Sequence, residues 1–129
     1  ILNSYSGCML GNPALSVLAD AYVKGIRTYD TEKAYQYAVN TSRKFGNDSL
    51  GYTPETLSIS YTLEYAYADW CVSQLAKAMG KEEDAMHFYE KGQAYHHIFD
   101  KEKGWFRPRR WIMGGLVRRC ADERMVWLY

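Results

Sequence analysis

Residues 58–79, SISYTLEYAYADWCVSQLAKAM, decide the fold. The run predicts one long helix that stops at Gly80, where a glycine can take the left-handed conformation. It is apolar nearly all round. Ile59, Leu63, Ala66, Tyr67, Trp70, Cys71, Val72, Leu75, Ala76 and Ala78 leave only Glu64, Asp69 and Lys77 charged. A helix of that character is buried on most of its sides, so it needs other elements around it.

Working outward, residues 82–99 predict an amphipathic helix. Ala85, Phe88, Tyr89, Gly92, Tyr95 and Ile98 follow the helical spacing, and Glu82, Glu83, Asp84, His87, Glu90 and Lys91 cover the rest. Gly92 costs roughly 1 kcal/mol of helix propensity, and its place on the apolar stripe predicts a close helix approach. Lys101 to Gly104 then read as a turn, and Trp105–Arg109 as extended chain, because Pro108 disfavours helix at Arg107.

Upstream, residues 47–56 read as a loop punctuated by Gly51 and Pro54. Before it, Asp30 caps a predicted helix running to about Phe45, with Ala34, Ala38 and Phe45 on one face. The first helix is predicted between Asn12, a capping residue followed by Pro13, and Gly25. It is again strongly apolar. The fold class is therefore all-α, built on two helix-turn-helix hairpins that each pair an apolar helix with a charged one. An α/α toroid and a helical-repeat solenoid both produce that alternation.

Composition narrows function less. The 129 residues are 47% hydrophobic, enough for a sizeable core, and the net charge of +1 points neither to nucleic acid nor to an acidic membrane surface. The 12 tyrosines suit helix packing and sugar-facing clefts alike. Cys8, Cys71 and Cys120 lack metal-ligand spacing, and their odd number argues against a disulfide scaffold. No apolar run approaches the roughly 18 residues of a membrane span. Ile1 to Ser6 do not resemble a signal peptide, and the absence of an initiating Met marks the chain as a processed or excised piece.

Two polar features could carry chemistry. On the long helix, Tyr61, Tyr65 and Asp69 recur every fourth residue and share a face. Glu64 and Asp69 lie about 140° apart around it, too far round to form a facing acid/base pair. Anchoring neighbouring elements is as good a reading of both carboxylates. The second feature is the basic stretch Arg107-Pro108-Arg109-Arg110, flanked by Trp105, Phe106 and Trp111. His87, His96 and His97 form no zinc constellation and read as solvated surface histidines.

Three ordered stretches resemble a known family. They are Asn3-Ser4-Tyr5 with residues 8–13 (CMLGNP) and 19–26 (ADAYVKGI); residues 58–71; and residues 98–109, from Ile98-Phe99-Asp100 through Trp105-Phe106-Arg107-Pro108-Arg109. Together they resemble the catalytic domain of glycoside hydrolase family 92, over roughly residues 1–110. The resemblance implies a partial (α/α)6 toroid and a calcium-dependent, inverting exo-α-mannosidase acting on mannose-containing glycans, periplasmic or secreted. It further implies that the catalytic carboxylates and the calcium ligands follow the Phe-Arg-Pro-Arg segment. No catalytic or metal-binding residue is then expected in this chain. A fragment alone should be inactive and should pack with the rest of the catalytic domain or self-associate. Glu64, Tyr65, Asp69, Trp105, Arg107 and Arg109 become the substrate-binding candidates, with core packing an alternative for Trp105.

Residues 111–129 depart from the family. This atypical basic segment carries Arg118, Arg119 and Arg124 with weak periodicity, a Gly114-Gly115 break and a short helix signal near Asp122–Trp127. Two other function classes remain open on sequence. One is a tetratricopeptide-like interaction module, although the hairpins do not repeat at that family's period of about 34 residues. The other is nucleic-acid binding through the arginines, which the near-neutral charge disfavours.

Overall fold

The computed structural model describes residues 12–47, 50–54 and 58–108. The first of the family-like stretches up to Gly11, Cys8, Arg109, Cys120 and the segment 111–129 lie outside the described residues. Four α-helices follow in order: α1 (Ala14–Val23), α2 (Thr31–Lys44), α3 (Ser58–Ala78) and α4 (Glu82–Lys91). A 3-10 turn (Ala94–His97) leads into a small antiparallel hairpin of β1 (Phe99–Asp100) and β2 (Trp105–Phe106). The described chain is all-α apart from this hairpin.

The α1, α2 and α4 helices and the 3-10 turn all pack against α3. Its C-terminal half explains why: Ala68, Asp69, Cys71, Val72, Ser73, Leu75 and Ala76 are buried, so neighbours surround it. Leu15 and Ala19 from α1, Tyr35, Ala38 and Val39 from α2, and Ala85 and Phe88 from α4 complete this core. Fully burying a side chain such as Leu15 or Phe88 contributes about 1.5–3 kcal/mol. The N-terminal half of α3 buries one stripe, Ser58, Thr62 and Ala66, and leaves Tyr67 and Trp70 exposed and stacked at 6.2 Å. Apolar residues all round thus become burial nearly all round only from Cys71 to Ala76. The apolar α1 buries just Leu15 and Ala19, with Val17 and Val23 exposed.

The glycine stops are where the sequence places them. Gly25 has φ +85 and Gly80 φ +74. At each, two amides turn back onto the last turn of the helix: Gly25 N to Tyr22 O (3.1 Å) and Ile26 N to Ala21 O (2.9 Å), then Gly80 N to Lys77 O (3.1 Å) and Lys81 N to Ala76 O (2.9 Å). These are two Schellman closures, which satisfy carbonyls that a helix end otherwise leaves unpaired. Asp30 caps α2 as expected, its carboxylate accepting from Lys33 N at 3.0 Å.

Four expectations need correction. Asn12 does not cap α1 with its side chain; its amide is buried and donates to Phe45 O, at the end of α2, at 3.1 Å. The buried face of α2 is Tyr35, Ala38, Val39 and Ser42, while Ala34 and Phe45 are half-buried beside it. The fourth helix stops at Lys91 instead of reaching Phe99. Gly92 lies tight against α3: a Cβ there would stand 3.1 Å from Trp70 Cβ and 3.3 Å from Ala66 O. The close approach predicted for Gly92 is therefore present, and the chain tightens into the 3-10 turn immediately beyond it. Tyr89, on the predicted stripe, is exposed.

Candidate functional site

The polar residues of α3 divide between two environments. Asp69 is 0% exposed and faces both outer helices. Ser42 Oγ of α2 donates a short hydrogen bond to its Oδ1, and Lys91 Nζ of α4 stands 3.3 Å from its Oδ2. The Oδ2 atom makes no aligned hydrogen bond, so Lys91 acts there as an ion-pair partner. Lys91 Nζ also donates to Ser42 Oγ at 3.1 Å, closing a triangle across three helices. Burial pushes the Asp69 carboxyl above the ordinary carboxylate range, and the Ser42 hydrogen bond and the Lys91 charge pull against it. Of its two sequence readings, anchoring is the role this environment carries. Among the described residues Asp69 is closed off from solvent, and the contacts it makes are ties between helices.

Glu64 is exposed and Tyr65 half-buried, with its ring 5.8 Å from that of Tyr61. They share the N-terminal half of α3 but not the Asp69 triangle. Sequence reasoning missed Ser42 and Lys91 as its members. The signal for Ser42 was present: it follows Tyr35 and Ala38 at helical spacing, a small polar residue on an otherwise apolar stripe. A second polar tie was also missed. Tyr35, 1% exposed, donates a short hydrogen bond from its hydroxyl to Asp84 Oδ2, linking α2 to α4. Burial, followed by the Asp84 bond and charge, pushes the Tyr35 phenol far above its ordinary value. Lys81 lies over the same ring at 4.9 Å and pairs with Glu32 at 2.8 Å.

The other candidates cluster on the hairpin. Trp105 is 61% exposed among the described residues. Arg107 Nη1 donates to Asp100 Oδ2 at 3.1 Å, and Arg107 N donates to Ile98 O at 2.8 Å, which extends the hairpin by one bond. Phe99 and Phe106 meet edge-to-face at 5.3 Å on the opposite side. Trp105 and Arg107 lie two residues apart at the hairpin, whereas the Asp69 triangle is built from α2, α3 and α4. His97 belongs to the 3-10 turn and is exposed; its ring lies 6.2 Å from that of Tyr52.

Among the described residues no three His, Cys, Asp or Glu side chains gather to hold a metal ion, and no helix is long and apolar enough to cross a membrane. Glu64 is exposed, whereas Asp69 is buried beside Lys91.

A family model described as the glycosyl hydrolase family 92 catalytic domain matches residues 1–112. Among solved structures, the chain is similar to a family 92 α-mannosidase from Bacteroides thetaiotaomicron in complex with mannoimidazole. Identity there is 39%, the TM-score is 0.76, and the match covers 87% of this chain and 16% of that one. A family 92 inverting mannosidase from the same organism matches at 30% identity and TM-score 0.77, over 96% of this chain and 18% of its own length. A curated relative, an uncharacterized secreted glycosidase of Arthroderma benhamiae, is 29% identical over 77% of this chain and 17% of its own. The chain thus spans less than one fifth of the length of these relatives. By the match over residues 1–112, the chain belongs to glycosyl hydrolase family 92.

Proposed function

We propose that this chain forms part of the catalytic domain of a calcium-dependent, inverting exo-α-mannosidase that removes mannose from glycans, periplasmic or secreted. The observation that carries the reading is the 39% identity, over 87% of this chain, to an α-mannosidase bound to mannoimidazole. The helices described here would belong to an α/α toroid whose other members lie elsewhere in the enzyme.

Inverting hydrolysis needs two carboxyl groups about 6.5–9.5 Å apart: an acid that protonates the departing glycosidic oxygen and a base that takes a proton from the attacking water. The reading leaves that pair to the rest of the catalytic domain and gives the described residues support and substrate binding. The Asp69–Ser42–Lys91 and Tyr35–Asp84 ties hold α2 and α4 in position around α3. Glu64 and Tyr65 on α3, Trp105 and Arg107 on the hairpin, and Arg109 beyond it are the residues assigned to the glycan. Trp105 would stack on a sugar face, and Arg107 would donate to hydroxyl oxygens.

The test is hydrolysis of α-mannosides, measured for this chain and for the complete enzyme, with and without a calcium chelator. The reading expects no turnover from the 129 residues alone and calcium-dependent release of mannose by the complete enzyme. Robust turnover by the short chain would refute this division of roles, and activity confined to other glycosides would refute the substrate.

A further inference from the structure

We infer that Asp100 is a positioning residue that fixes Arg107, and with it the Trp105 face of the hairpin, for glycan binding. The inference rests on the reading that Trp105 and Arg107 face the sugar.

Asp100 pairs with Trp105 in the antiparallel register, and Phe99 pairs with Phe106. Paired residues project to the same face, and so does the residue two positions along a strand. Asp100, Trp105 and Arg107 therefore share one face, and the two phenylalanines take the other. The Asp100 side chain is only 7% exposed, beside Trp105 and a half-buried Arg107.

Its two oxygens act on different parts of the hairpin. Oδ1 accepts from Glu102 N at 3.0 Å and Lys103 N at 3.3 Å, which fixes the turn. Oδ2 accepts from Arg107 Nη1 at 3.1 Å. Its carbonyl accepts from Gly104 N at 2.8 Å, and Gly104 takes φ +74, which favours glycine. One residue thus sets the turn that presents Trp105 and the direction of the guanidinium. A charge-assisted bond on a nearly buried carboxylate restricts a long side chain that would otherwise sample many rotamers.

The experiment uses the complete enzyme and an α-linked mannobiose, with kcat and KM measured separately and a thermal melt for each variant. D100N keeps an oxygen for the turn and loses the charge at Arg107. The expected result is a fall in kcat/KM of about tenfold or more, mainly through KM, for D100N and for R107K. The double variant should lose little beyond either single one, because both changes release the same side chain. D100E, which restores the charge, should recover part of the loss. Unchanged kcat/KM in D100N alongside a large loss in R107A would overturn the positioning role and leave the mannosidase reading standing. Losses that simply multiply in the double variant would also overturn it. Unchanged kcat/KM in both R107A and W105A would show that the hairpin does not face the sugar, and would remove the inference together with that part of the site.

Discussion

Replacing Lys91 by Met tests the buried triangle most sharply. The substitution keeps an unbranched apolar stem and removes the cation 3.3 Å from Asp69 Oδ2. At that separation the attraction is about 5 kcal/mol for an effective dielectric near 20, and desolvation of both groups offsets much of it. Removing one partner of a buried pair typically costs about 3–5 kcal/mol. Lys91 keeps 24% of its side-chain exposure, so a loss of about 2–4 kcal/mol is expected near neutral pH. That should lower the midpoint of urea unfolding, followed by circular dichroism, by roughly 1–2 M.

The pH dependence makes the test specific. Burial raises the Asp69 carboxyl above its ordinary value, against the Ser42 bond and the Lys91 charge. Between the unfolded and folded values the folded protein holds a proton that the unfolded chain has released. That contribution is fully present below the unfolded value of about 3.9 and is lost as pH rises through the folded value. Without Lys91 the folded value rises further, so the penalty should grow as pH rises and shrink as pH falls. A penalty independent of pH, or one below about 0.5 kcal/mol, would refute the reasoning. Adding D69N to K91M should restore part of the stability, because the uncompensated charge is gone.

Other predictions follow from the same contacts. Tyr35→Phe should cost about 1–2 kcal/mol by removing the donor to Asp84, measured by urea unfolding. The raised Tyr35 phenol keeps its proton in the fold after the unfolded chain loses it, so wild-type stability should fall as pH rises above about 10, and Y35F should lack that component. Gly80→Ala should cost about 1 kcal/mol through its φ of +74 alone, since nothing lies within 4 Å of the added methyl. Gly92→Val should cost more than Gly92→Ala in thermal melts, because even the first carbon meets Trp70 Cβ at 3.1 Å.

Local signals were the legible ones. Gly25, Gly80 and the Asp30 cap stop or start helices through bonds within one turn, so neighbouring residues suffice to place them. Gly92 was legible as a close approach because a glycine on an apolar stripe has few other uses. What escaped was the partner across the fold. Asn12 has the chemistry of a cap, yet Phe45 O, 33 residues away, takes its amide. Asp69 declared itself as a charge on a buried helix, but nothing in its own helix identifies Ser42 and Lys91. The end of α4 depended on contact with Trp70 and Ala66, which no periodicity encodes. On the hairpin, Trp105 and Arg107 stood out by residue type, whereas no sequence signal marked Asp100 as the partner of Arg107.

The proposed activity has one most direct test. The complete enzyme is given an α-mannoside, and the anomeric proton of newly released mannose is followed by NMR before mutarotation. The account predicts that β-mannose appears first, as inversion of an α-linkage requires. Release of α-mannose first, or no release of mannose, would contradict it.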